Sequence, residues 1–130
     1  MNEIFEFLNN CNEYFLATID DNKPRVRPFG TINLFENKLY IQTGKSKDVY
    51  KQIIKNPDVE LCAFKDGKWI RLEGKLIEDN RIEAKKNMLD KYPELRSMYD
   101  ENDDNTVVFY FVEAKATISS FTEGSKTITL

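Results

Sequence analysis

At 130 residues, with 41% hydrophobic and 12% aromatic against 32% charged residues, the chain has the balance of one globular domain spanning 1–130, not of a disordered segment. Nineteen basic and 22 acidic residues are interspersed to a net charge of −3, so there is no basic block to neutralise nucleic-acid phosphates, and nucleic acid is excluded as a partner. The chain has no histidine, which excludes Ser-His-Asp and Cys-His nucleophiles, H-E-x-x-H metal sites and proximal-histidine haem ligation; chemistry has to come from other side chains or, most economically, from a bound cofactor.

The opening "MNEIFEFLNN" has acidic residues where a secretory leader is basic, and places Ile4, Phe5 and Leu8 at helical spacing, so a short amphipathic helix is expected. No apolar run approaches the ~18 residues of a membrane span. "EYFLATID" reads as a strand, and "DDNK" as a turn before a long strand from Pro24 through "RVRPFGTINLF". Pro28 cannot donate to a ladder, so this strand is expected at an edge, bulged or bent there, with Gly30 adding to that expectation. "ENK" turns into "LYIQT", and "KDVYKQIIKNP" gives a helix from Ser46 to Asn56, stopped by Pro57. "VELCAF" and "KWIRLEGKLIE" form a hairpin across Asp66-Gly67, a type I′ signal. "RIEAKKNMLDKYPELRSMY" predicts a helix to Tyr92 and a short helical turn beyond Pro93. "TVVFYFVEAKATISSF" supplies a final long strand or strand pair before a polar tail. Hairpin-joined strands with helices inserted at two places fit a closed antiparallel barrel of the α+β kind, mainly β.

Cys11 and Cys62, far apart and outside any C-x-x-C pair, read as reduced thiols of a cytoplasmic protein, with Cys62 expected in the core. Asp100, Asn102 and Asp104 have the spacing of the first ligands of a calcium loop, but Asn105 stands where glycine is needed and Phe111 where glutamate is, so "DENDDN" reads as a solvated loop. Trp69, just after a hairpin turn, divides between packing and ligand contact.

The pattern that points to a site is "PRVRPFG" with "TGKSKD". Arg25 and Arg27, two apart on a strand, share a face at a separation of roughly 7 Å. Ser46 reads as an N-cap flanked by Lys45 and Lys47, and a hydroxyl, ammonium groups and free backbone N–H at a helix start suit one phosphate. Pairing of Pro24–Phe35 with Leu39–Thr43 would bring an arginine alongside Thr43 as a phosphate clamp. Taken singly, each motif also reads as a solvated strand edge or an ordinary helix cap.

The order "PRVRPFG", "LYIQTGKSKDVYKQIIKNPDVELCAF", "WIRLEGK" resembles the flavin-binding split-barrel proteins related to pyridoxamine 5′-phosphate oxidase, in particular the small bacterial NimA/NimC-like members. The resemblance runs from about Glu13 to Phe121 and implies an antiparallel split β-barrel, a homodimer, and FMN in grooves at the dimer interface. It implies cofactor contacts from Arg25, Val26, Arg27 and Pro28, with Arg27 as the preferred phosphate ligand, and from Gln42, Thr43, Ser46 and Lys47. Trp69 and Arg71, with Phe121 behind them, would approach from the partner subunit. The implied activity is flavin-dependent transfer of hydride or electrons to a small-molecule redox substrate, with a nicotinamide donor as one source. The alternatives are a flavin binder without turnover, stress-related or otherwise, and a barrel for another phosphorylated ligand. The chain ends in "SSFTEGSKTITL", lacking the C-terminal arginine and histidine positions of true pyridoxamine 5′-phosphate oxidases, and that reaction is not expected.

Overall fold

The computed structural model describes all of residues 1–130, and in several of its strands period-two alternation separates an inner from an outer face. In β1 (Tyr14–Asp20) the side chains of Tyr14, Leu16 and Thr18 go in while Phe15 faces out, and in β5 (Asp58–Lys65) Val59, Leu61 and Ala63 go in while Phe64 faces out. Leu16, Leu61, Ile70 and Leu72 lose all solvent contact, each worth about 1.5–3 kcal/mol of apolar burial. The amphipathic α1 (Asn2–Asn9) adds Ile4 and Leu8 to this core, and α2 (Asp48–Lys55) adds Val49 and Ile53.

The remaining elements are β2 (Lys23–Phe29), β3 (Asn33–Phe35), β4 (Lys38–Gly44), β6 (Lys68–Asp79), α3 (Ile82–Lys91), a 3₁₀ turn over Pro93–Ser97, β7 (Thr106–Ser120) and β8 (Gly124–Thr129). One antiparallel sheet runs β2-β1-β5-β6-β7-β4-β3, with β8 also on β7. Helices at three places on a curled antiparallel sheet make this an α+β, mainly β fold. The end strands β2 and β3 do not pair, so the barrel is split, not closed as composition and hairpin count suggest.

The split lies where Pro28 and Gly30 interrupt the expected Pro24–Phe35 strand. β2 stops at Phe29 and pairs only with β1, Arg25 opposite Thr18 and Arg27 opposite Leu16. The pairing with β4 is left to three residues of β3, from Asn33↔Tyr40 to Phe35↔Lys38. Between them Thr31 takes over from the ladder: its hydroxyl accepts from Gln42 N at 3.0 Å and reaches Gln42 O at 3.4 Å. A terminal strand tolerates Pro24 and Pro28, as the sequence leads one to expect.

Asp66 and Gly67 both have positive φ, as a type I′ turn needs. The expected polar tail is instead β8, paired with β7 from Lys115↔Thr129 to Ser120↔Gly124. Cys62, expected in the core, is exposed, because Leu61 and Ala63 on either side take the inward positions. Opposite Gly74, the β6–β7 register slips between Glu73 and Lys75, and a Cβ at Gly74 would lie 2.8 Å from Ala114 Cβ.

Candidate functional site

Register sets the site. Because Arg25 and Arg27 oppose the buried Thr18 and Leu16, both arginines lie on the inner side of β2, toward α2, while Val26 and Pro28 alternate with them opposite Ala17 and Phe15. Where Arg27 meets α2 its guanidinium is held from three directions. One terminal nitrogen donates to Leu16 O at 3.1 Å and Thr18 Oγ1 at 2.8 Å, and the other to Gln52 Oε1 at 2.6 Å. Gln52 Oε1 also accepts from Thr18 Oγ1 at 2.6 Å. Burial, and then the neighbouring Arg25, lower the Arg27 pKa from its ordinary value while Asp48 opposes them; the group remains a cation at any physiological pH.

Arg25 is differently placed. Its Nε donates to Asp20 Oδ2 at 3.1 Å on the exposed side, and both terminal nitrogens are without partners in the chain. Arg25 and Arg27 open onto a groove of about 420 Å³ whose other wall is Lys47, Asp48 and Gln52 at the start of α2. A second groove of about 330 Å³ continues past Pro28, Gly30, Thr31, Gln42 and Thr43. Arg27, Lys47 and Val49 line both, so the two form one cleft along the split. The far wall of the second groove is Tyr92, Glu94, Leu95, Met98 and Tyr99. That wall is pinned by the Tyr92 hydroxyl, which donates to Ile32 O and accepts from Ile32 N, both at 3.0 Å.

The structure therefore brings together Arg25, Val26, Arg27, Pro28, Gln42, Thr43 and Lys47, though not through the expected hairpin of β2 with β4. Ser46 is not the N-cap and lines neither groove. Lys47 holds the cap position with no side-chain bond, and Ser46 N donates instead to Asn105 Oδ1 at 3.1 Å. Trp69 and Arg71 lie on the outer face of β6, away from the cleft of their own chain; Arg71 faces Glu60 at 3.7 Å, and Trp69 packs on Phe121 at 4.9 Å between ring centroids. Sequence reasoning missed Asp20, Asp48, Gln52 and the Tyr92–Tyr99 wall. For the wall, the visible signal was a proline break with a tyrosine at each end.

Aromatic and apolar side chains also stand exposed on the outer face: Phe15, Ile19, Val26 at 67%, Phe64 at 60% and Phe121 at 78%. No group of side chains is arranged to hold a metal ion, and Asp103 closes the Asp100–Asn105 loop by accepting from the backbone of Asp100, Asn105 and Thr106. No helix is long and apolar enough to cross a membrane.

Fold and cleft together define a split-barrel protein with a binding groove at its seam. The chain belongs to the pyridoxamine 5′-phosphate oxidase family, whose profile matches residues 1–114. A NimC/NimA family protein from Clostridium acetobutylicum is 41% identical over 100% of this chain and 93% of its own, with a TM-score of 0.96. General Stress Protein 26 from Bacillus anthracis (18% identity, TM-score 0.76, 99% and 97% covered) and Campylobacter jejuni ChuZ (16%, 0.71, 98% and 58%) share the fold. No curated protein matches in sequence.

Proposed function

We propose that this chain is an FMN-binding oxidoreductase acting on a small redox substrate, with FMN held at the interface of a homodimer. The observation that carries the reading is the two-part cleft, cationic at one end and largely uncharged at the other, joined through Arg27, Lys47 and Val49. Its donor set fits a flavin mononucleotide: Arg25, with unpartnered terminal N–H groups, Lys47 and the first residues of α2 border the same groove and would together suit one phosphate. The combined space is in the range of a ligand pocket. A clamp for one phosphate favours FMN over FAD or a deazaflavin carrying more.

In this reading Arg25 and Lys47 bind the phosphate, and Arg27, fixed by Leu16, Thr18 and Gln52, positions the β2 wall against α2. Val26, Pro28, Gln42 and Thr43 border the ribityl chain and ring. Asp20 and Asp48 leave the pocket less positive than its cation count suggests. When bound, the flavin supplies hydride or electron transfer. The outer face, rich in exposed apolar side chains, suits a second copy of this chain. That pairing would bring Trp69 and Arg71 of the partner subunit to the cleft. The cytoplasm is the compartment that suits two unpaired thiols.

The test is the visible spectrum of purified protein with and without added FMN, followed by anaerobic addition of NADH or NADPH. A flavin spectrum that bleaches supports the reading. A flavin spectrum that resists both donors assigns a binder without this turnover, and a colourless protein after incubation with FMN overturns the proposal. Sedimentation at twice the monomer mass is expected, and a monomer in the presence of FMN would overturn the shared site.

A further inference from the structure

The wall over the second groove is chemically unlike the floor beneath it. Resting on the FMN reading, we infer that this end of the cleft takes a planar substrate that is uncharged or cationic and discriminates against phosphorylated or carboxylated ones, with Glu94 setting the preference.

The cations bordering the whole cleft are Arg25, Arg27 and Lys47. In the FMN reading Arg25 and Lys47 are taken up by the phosphate, Lys47 from a position bordering both grooves, and three donors of Arg27 are spent inside the protein. Neither cation near the far wall lines the groove: Arg96 is neutralised by Asp90 at 2.8 Å and Glu101 at 2.7 Å, and the Lys91 ammonium, still charged, is held by Asn9 Oδ1 and Ile32 O. Glu94, by contrast, is exposed, lines the groove and makes no ion pair. A bound phosphate adds further negative charge. With FMN bound, an anionic substrate would therefore meet two like charges and no cation that the phosphate has not already engaged, whereas a monocation gains from both.

The rest of the wall suits a flat ring. Leu95 and the 68%-exposed Met98 offer adaptable apolar surface. The Tyr99 hydroxyl, free of partners within the chain, is the polar contact; it sits 3.1 Å from where a Cβ on Gly44 would lie, so the absence of a side chain at Gly44 is what lets the ring approach the groove.

Three near-isosteric probes separate charge from shape: 1-methylnicotinamide, methylated on the ring nitrogen (cation), nicotinamide (neutral) and nicotinate (anion). Each is titrated at low ionic strength into FMN-saturated protein, and binding is read from perturbation of the flavin absorbance. The expected order is cation, then neutral, then anion, with about tenfold between the extremes. Glu94→Gln, saturated with FMN before the probes are added, should bring the extremes to within about twofold, and Glu94→Lys should invert the order. Nicotinate binding as tightly as the cation, no binding by any probe, or a ratio indifferent to Glu94→Gln overturns the inference. Failure of the wild-type protein to take up FMN, read before any probe is added, overturns the cofactor reading and this one with it.

Discussion

Replacing Arg27 and Arg25 in turn by alanine should separate holding the fold from holding the cofactor. Arg27 donates to Leu16 O, Thr18 Oγ1 and Gln52 Oε1, tying β2 to β1 and α2. Hydrogen bonds from a charged donor are worth about 1.5–3 kcal/mol each, but Thr18 and Gln52 keep their mutual bond after the substitution, and losing a partly buried guanidinium recovers desolvation. A net loss of about 2 kcal/mol follows. With an unfolding entropy of about 2.1 cal/mol/K per residue over 130 residues, that lowers Tm by about 7 °C. Arg25→Ala removes one exposed pair with Asp20, worth at most about 0.5 kcal/mol, so Tm should move by less than about 2 °C. FMN affinity should show the opposite order, falling about a hundredfold in Arg25→Ala. The melts are run on cofactor-free protein at one concentration, because ligand and subunit association both raise Tm by mass action. A cofactor-free Arg27→Ala protein that melts with the wild type, or an Arg25→Ala protein that keeps its FMN affinity, would refute this division of labour.

Three further outcomes follow from the geometry. Asp79, 8% exposed, accepts from Tyr40 at 2.7 Å and from Arg81 at 2.9 Å, and Arg81 holds its carboxyl down at about 2 against an ordinary 3.8. A depressed carboxyl stabilises above the unfolded value and loses that contribution as pH falls through the folded one, so about 2 kcal/mol should disappear between pH 4 and 2. Acid titration followed by circular dichroism should show this component in the wild type and not in Asp79→Asn. Gly74→Ala drives a Cβ to 2.8 Å from Ala114 Cβ and 3.0 Å from Val112 O, and should cost about 1–3 kcal/mol in urea unfolding. Tyr14→Phe leaves Thr31 O without its 2.7 Å donor in a buried site, and should cost about 1–2 kcal/mol in the same assay.

What the sequence disclosed divides along the range of the interactions involved. The Asp66-Gly67 turn, the proline-terminated α2 and the break at Pro93 are local, and each is found within a residue or two of expectation. The N-cap is not local. Ser46 has the residue type a cap prefers, but its amide is taken by Asn105, 59 residues on. Cys62 shows a different failure: an apolar run reads as core, yet this sheet is apolar on its outer face too, so parity and not hydrophobicity decides which side Cys62 takes. The helical turn beyond Pro93 is expected from the sequence, but the place of the Tyr92–Tyr99 wall over the split depends on the Tyr92–Ile32 contact across 60 residues.

The paired arginines show most sharply where sequence reasoning stops. Their spacing places both on one face and the register agrees, so the location of the cleft is legible from "PRVRPFG". Which arginine keeps its terminal donors free is not. Arg27 opposes Leu16, deep enough along β1 for Gln52 of α2 to reach it, whereas Arg25, two residues nearer the open turn, meets only Asp20. A helix packed across β1 thus converts one of two equivalent-looking cations into a brace and leaves the other with its fork free. In the proposed reading Arg25 is preferred as phosphate ligand because both its terminal nitrogens lack partners in the chain, whereas Arg27, which the resemblance prefers, keeps only its Nε–H and one terminal N–H for a ligand.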